Sequence, residues 1–220
     1  GWSIIYLAMK FKRRPDTQSL GEEIANAITH GIGALFGVVA LILMLIKAQD
    51  TVAKVTVTVF GLGIILLYSM SCLYHSFKKD TRVKRVFKRF DHLSIYILIG
   101  ATYTPIYLIA VDQPLGYILT AVIWAIIILG VVFKAIWIKK FAMVHLILYL
   151  ILGWNGVFIF RGVYQIAPAA LWLILTGGVI YSLGVLFYSL RPFKYAHFIW
   201  HIFCIAGTFT HFLAIYLYII

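Results

Sequence analysis

His197 and His201 stand four residues apart in the stretch Tyr195-Ala-His-Phe-Ile-Trp-His201. On a helix that spacing puts both imidazoles on one side, one turn above the other. Two imidazoles so placed can reach one metal ion, as in helical zinc motifs. The plainer alternative is a pair of ordinary helix histidines bonded to carbonyls or water. A catalytic zinc ion takes three protein ligands and keeps a fourth position open, and His75, at the end of another apolar run, is the candidate third imidazole. Asp91 is a candidate ligand, or the group that orients a water on the metal and takes its proton. Ser71 lies one turn before His75 on the same face, within reach of that water or of a substrate carbonyl oxygen. Zinc lowers the pKa of bound water to about 7, so these residues permit hydrolysis of an ester or amide without a strong base.

Each residue also has a structural reading. Asp91 follows Arg89 closely and can pair with it at an interface, and Ser71 can back-bond to its own helix. Cys72 and Cys204 both fall inside apolar runs, where a thiol more often packs as a small hydrophobe than ligates a metal. His92, His145 and His211 lack partners at a shared depth and are expected to be structural.

The elements that carry these residues are membrane helices. Of 220 residues, 63% are hydrophobic and only 12% are charged, against about 25% charged in a soluble domain. The balance of nineteen basic to seven acidic residues gives a net charge of +12. The bases cluster in short stretches between apolar runs, so topology explains them better than nucleic-acid binding. Seven runs are long enough to span a bilayer: 22–46, 55–77, 91–111, 115–133, 141–160, 168–190 and 197–220. The expected fold is therefore an all-α, polytopic membrane protein, a seven-helix bundle in a single domain over 22–220. A basic segment over 1–21 is expected ahead of it, lying along the cytoplasmic surface as an interfacial helix, and no cleavable signal peptide is expected. A cytoplasmic N-terminus puts all but Lys47, Lys54 and Arg161 of the basic residues inside and the C-terminus outside.

That topology places His75, Asp91, His197 and His201 at one membrane depth near the cytoplasmic face, although they are far apart in sequence. Glu23, Asn26 and His30 fall on one stripe of the first helix at spacings of three and four, at the same depth. Glycines at 31, 33 and 37, and at 177, 178 and 184, are expected to let helices approach closely.

Three motifs carry a resemblance. Glu23-Ile-Ala-Asn26-Ala-Ile-Thr29-His30 fits an ExxNxxTH opening, Ser71-Cys-Leu-Tyr-His75 with Asp91 fits a second motif, and His197-Phe-Ile-Trp-His201 fits a third. In this order and spacing they resemble the hemolysin III proteins, the bacterial branch of the progestin and adipoQ receptor family. The resemblance implies zinc held by His75, His197 and His201 near the cytoplasmic side, with Asp91 and Ser71 around a zinc-bound water. Glu23, Asn26, Thr29 and His30 would be supporting polar residues. Related adiponectin receptors and alkaline ceramidases act on ceramides, and bacterial relatives are linked to membrane lipid homeostasis. One departure is His92, where the receptors tend to have tyrosine.

The expected function is an intramembrane zinc-dependent hydrolase of lipid amides or esters in the bacterial plasma membrane, with a membrane lipid as substrate or ligand and no nucleic acid. Two alternatives stand beside it. One is a pore-forming cytolysin, although an uninterrupted hydrophobic bundle cannot be secreted as a soluble monomer without wetting its spans. The other is a receptor-like sensor whose zinc is structural.

Overall fold

A computed structural model describes residues 17–137, 141–159, 163–165 and 167–220. The expected interfacial segment over 1–21 lies outside the described residues up to position 16. The described residues are helical, with no strand among them. The principal helices are α1 (Leu20–Lys47), α2 (Thr51–Ser76), α3 (Arg82–Ala110), α4 (Leu115–Ile136), α5 (Ala142–Gly153), α6 (Pro168–Leu190) and α7 (Ala196–Tyr218). All but α5 are long and apolar enough to cross a membrane, and their outer faces present leucine, isoleucine and valine. This is the outward apolar surface that a bilayer solvates.

The helix starts follow from local chemistry. Ser19 caps α1 in a capping box: Glu22 N–H donates to Ser19 Oγ, and Glu22 Oε2 accepts from Ser19 N–H at 2.8 Å. Asp50 caps α2 by accepting from Ala53 N–H, and Thr81 caps α3 by accepting from Lys84 N–H. The cap at Thr81 brings a correction. The basic run over 78–89, expected as a connecting loop, is already helix from Arg82. Asp91 therefore lies in the third turn of α3 instead of opening it. At about 1.5 Å per residue the 29 residues of α3 extend about 43 Å. That exceeds a hydrocarbon core of about 30 Å, so the basic turns can project beyond it.

The span expected over 141–160 is also corrected. Helix α5 stops at Gly153 after 12 residues, and a 3-10 segment follows over Asn155–Ile159. Glycine at 153 and 156 weakens the helix there. The freed backbone groups find a partner across the bundle: Tyr103 Oη donates to Gly153 O at 2.5 Å and accepts from Gly156 N–H at 2.8 Å. Without water in a bilayer, such substitution by a side chain is what permits a broken helix.

Helix α1 packs on α2, α2 on α3, α3 on α4 and α6 on α7, while α7 closes back on α1. Small residues set the close approaches. A Cβ at Gly33 would stand 2.8 Å from the Tyr68 ring, and one at Gly37 2.8 Å from Ile64. Gly31 and Gly178, by contrast, leave ordinary van der Waals space. Tyr68 is completely buried, and its hydroxyl meets Thr208 Oγ1 at 2.6 Å, which also meets Tyr181 Oη at 2.5 Å. This three-way bond ties α2, α6 and α7 beneath the candidate site. Gly33→Leu should force Tyr68 from its seat and destabilise the bundle by about 1–3 kcal/mol. A melting temperature several degrees lower in detergent is expected, and an unchanged one would show that the α1–α2 contact yields.

Candidate metal centre

Three imidazoles converge where the ends of four helices meet. His75 is in the last turn of α2, and His197 and His201 occupy the first two turns of α7. One ring nitrogen of each lies within 4.8 Å of those of the other two. The Nε2 atoms of His197 and His201 are 3.1 Å apart. Two nitrogens bound at about 2.0–2.1 Å to a tetrahedral ion stand about 3.3 Å apart, so this pair has the spacing of two ligands of one ion.

The outer nitrogens set the tautomers. His75 Nδ1–H donates to Glu23 Oε2 at 2.7 Å; because a carboxylate only accepts, Nδ1 carries a proton and Nε2 is the nitrogen left for another partner. His75 Nε2 is buried with no hydrogen-bond partner. His201 Nδ1–H donates to Asn26 O at 3.3 Å, which likewise leaves its Nε2 free to ligate. A second group that binds the far nitrogen of a histidine is the usual support of a metal ligand, since it fixes ring orientation and raises basicity. The donor set fits a zinc-like ion on these grounds: three convergent imidazoles, two of them held at the far nitrogen by Glu23 and Asn26 O, with His75 Nε2 buried and unpartnered.

The support continues outward. Lys84 Nζ sits 3.0 Å from the same Glu23 oxygen and donates to the carbonyls of Tyr74 and Phe77 at 2.9 and 3.1 Å. Lys84 thus closes the C-terminal end of α2, where His75 is carried, and balances the charge of Glu23. On the α7 side, Glu22 Oε1 accepts from Tyr195 N–H at 2.9 Å, fastening the start of α7 to the start of α1. His30 stacks on His201 with ring centroids 3.5 Å apart and meets Tyr68 edge-on. Asn26 donates from Nδ2 to Gln18 Oε1, and Thr29 bonds back to Ala25 O on its own helix. Thr29 thus bonds its hydroxyl within α1 and not to the histidines.

Beside the histidines opens a cavity of about 720 Å³, lined among others by Ser71, Asp91, His197 and His201. Asp91 is not part of the group of ligand atoms close enough to share an ion. Of its two readings, orientation through water suits the geometry better than direct ligation. Ser71 Oγ is buried and makes no bond back to α2, the structural alternative, and its side chain lies against that of Asp91. Neither cysteine joins the ligand group: Cys72 faces Gly31 of α1, and Cys204 is buried on the cavity wall.

Of the histidines expected to be structural, His145 accepts from Tyr96 Oη at 2.8 Å and His211 donates to Ile174 O at 3.1 Å. His92 differs: it lines the cavity with Nε2 3.9 Å from the Asp91 carboxylate. Lys84 and Glu22 are the supporting residues that sequence reasoning passed over. Lys84 was indistinguishable there from the bases that set topology, and its place three residues after a capping threonine is the only local signal.

Lys84→Met keeps most of the aliphatic stem but leaves Glu23 without its cation and two carbonyls without a donor. A loss of about 1–3 kcal/mol is expected, read as a lower melting temperature. An unaltered melt would mean that the Lys84 contacts contribute nothing to the fold.

Comparison with known proteins agrees with the motifs. The sequence model of the family described as "Haemolysin-III related" matches residues 18–212. Hemolysin-3 of Bacillus cereus is 38% identical over 208 residues, covering 93% of this chain and 94% of that protein. The Hemolysin-3 homolog of Bacillus subtilis (strain 168) is 35% identical over 204 residues, covering 91% and 95%. The monocyte to macrophage differentiation factor of Homo sapiens is 29% identical over 205 residues, covering 90% and 84%. No solved structure matches the chain. With a match over nearly all of its length and helices suited to repeated crossing, this chain is a multi-pass membrane protein that belongs to the haemolysin-III related family.

Proposed function

We propose that this protein is a zinc-dependent hydrolase of lipid amides or esters, working within the bacterial plasma membrane in lipid homeostasis. It crosses the membrane seven times, with the segment Ala142–Val157 making the short fifth crossing. The N-terminus and the histidine cluster lie on the cytoplasmic side and the C-terminus outside, as the distribution of lysine and arginine favours. The segment over 1–21 rests on the cytoplasmic surface.

The observation that carries the reading is a set of three convergent imidazoles beside a cavity whose wall also holds a buried serine hydroxyl and a carboxylate. When bound, zinc supplies Lewis acidity and a deprotonated water near neutral pH. The chain's own residues do the rest. Glu23 and Asn26 hold His75 and His201 in the tautomers that present Nε2. Asp91 accepts a proton from the attacking water and returns it to the leaving amine or alkoxide. Ser71, beside Asp91, donates from its hydroxyl to the substrate carbonyl oxygen as negative charge develops there. The apolar wall excludes bulk water and takes the acyl chain.

A cytolysin reading is favoured only by the names of the two Bacillus relatives. It expects purified protein to release a dye from liposomes whether or not the histidines are intact.

Purified wild type should carry about one zinc per chain, and His75→Ala and His201→Ala should lose it, with chelation lowering the melting temperature of the wild type alone. Asp91→Ala and Ser71→Ala should keep the metal and lose turnover of the lipid the wild type cleaves by about 100-fold or more. A metal-free, well-folded wild type, or full turnover in both of the latter variants, ends the hydrolase reading.

A further inference from the structure

The cavity beside the histidines is unusual in its charge. Arg85, Lys88, Arg89, Lys134 and Arg191 all contribute to its lining, against Asp91 as the acid. Most of these bases are at least partly exposed and are explained by topology. Lys134 is not. It lies in the last turn of α4, where a lysine suits the helix dipole, but a lysine near a helix end normally extends its ammonium to the interface. Here the residue is only 4% exposed, and no acid among the described residues pairs with it. A charged neighbour, Lys88 of α3, has the same sign. Lys134 lines the cavity, and an ammonium there with no acid partner among the described residues and a mostly apolar surround favours an anion in the cavity.

The same cavity offers an apolar path. Leu98 and Ile99 of α3, Leu146 and Leu150 of α5, and Trp154 and Trp200 line it. One cavity thus joins the histidine cluster, an apolar wall and the Lys134 cation. We infer that the cavity binds a net-anionic acyl lipid, with Lys134 holding an anionic oxygen of the headgroup, phosphate or its equivalent. Lysine serves this role as a point charge. As a statement of substrate class this rests on the hydrolase reading, but as a binding site it stands on Lys134 and the cavity alone. A neutral lipid such as ceramide leaves Lys134 without its counter-charge.

The test reads binding and not turnover. Protein in neutral detergent is titrated with phosphatidylglycerol brominated in its acyl chains, and separately with phosphatidylcholine of the same chains. Tryptophan emission reports occupancy, since Trp154 and Trp200 line the cavity. Half-quenching of the wild type should need several-fold less phosphatidylglycerol than phosphatidylcholine. Lys134→Met should erase that preference while melting no lower than wild type, because an uncompensated charge has been removed. Equal titrations of the two lipids by the wild type, or a preference that survives Lys134→Met, overturns the proposal. Inorganic phosphate is the remaining arm. If it alone raises the wild-type melting temperature as far as phosphatidylglycerol does, the site takes a free oxyanion and the lipid assignment fails. A preference for the anionic lipid in protein that cleaves no lipid leaves the binding site standing and removes the hydrolase reading alone.

Discussion

The hydrogen bond from His75 Nδ1–H to Glu23 Oε2 is the contact through which the site is assembled. It joins the end of α2 to the start of α1, fixes which nitrogen of His75 is free, and leaves a negative charge that must itself be balanced. Lys84 supplies the balance from α3 and in the same stroke closes the carbonyls at the end of α2. The start of α7 is then bound to α1 through Glu22 and through Asn26 O. Four helix ends are therefore held by polar contacts at one level. In a medium without water these contacts have few competitors, and a missing partner leaves an unpaired polar group in hydrocarbon.

Below that level the bundle changes character. Glycines let α1 meet the Tyr68 face of α2, and the Tyr68–Thr208–Tyr181 contact is the next polar link down. His30 bridges the two levels by stacking on His201 and meeting Tyr68 edge-on. Rotation of the His201 ring is thus opposed on one side by a hydrogen bond and on the other by an aromatic face. An imidazole held in this way would lose little freedom on binding an ion.

Much of this was legible in the sequence because membrane helices obey a length rule and the histidines obey a helical one. The spacing of His197 and His201, the stripe of Glu23, Asn26 and His30, and the common depth of His75 with them are properties of 3.6-residue periodicity and topology alone. What was not legible depended on the partner chosen by a residue with several plausible ones. Lys84 reads as one base among seven in the run over 78–89, and only its side-chain contacts separate it from the others. The early start of α3 was hidden because charged residues end an apolar run without ending a helix. The stop of α5 at Gly153 depends on Tyr103, fifty residues earlier, accepting and donating at the break. His92 and Asp91, both inside α3 and not at its start, share the cavity wall.

The Nε2 atoms of His197 and His201 decide how the cluster is best understood. At 3.1 Å they either share one proton or share one ion. The proton alternative needs one of the rings to donate from Nε2. His201 already places its proton on Nδ1 toward Asn26 O, so the donor would have to be His197. That arrangement pairs His197 and His201 but leaves His75 Nε2, close to both, buried with nothing to accept. On the proposed function a single cation would meet all three nitrogens together and offset the cost of burying them. His30 and His145 also carry buried ring nitrogens without a partner, so the convergence of three ring nitrogens within 4.8 Å of one another, more than any one orphaned nitrogen, is what makes the cluster a candidate metal centre.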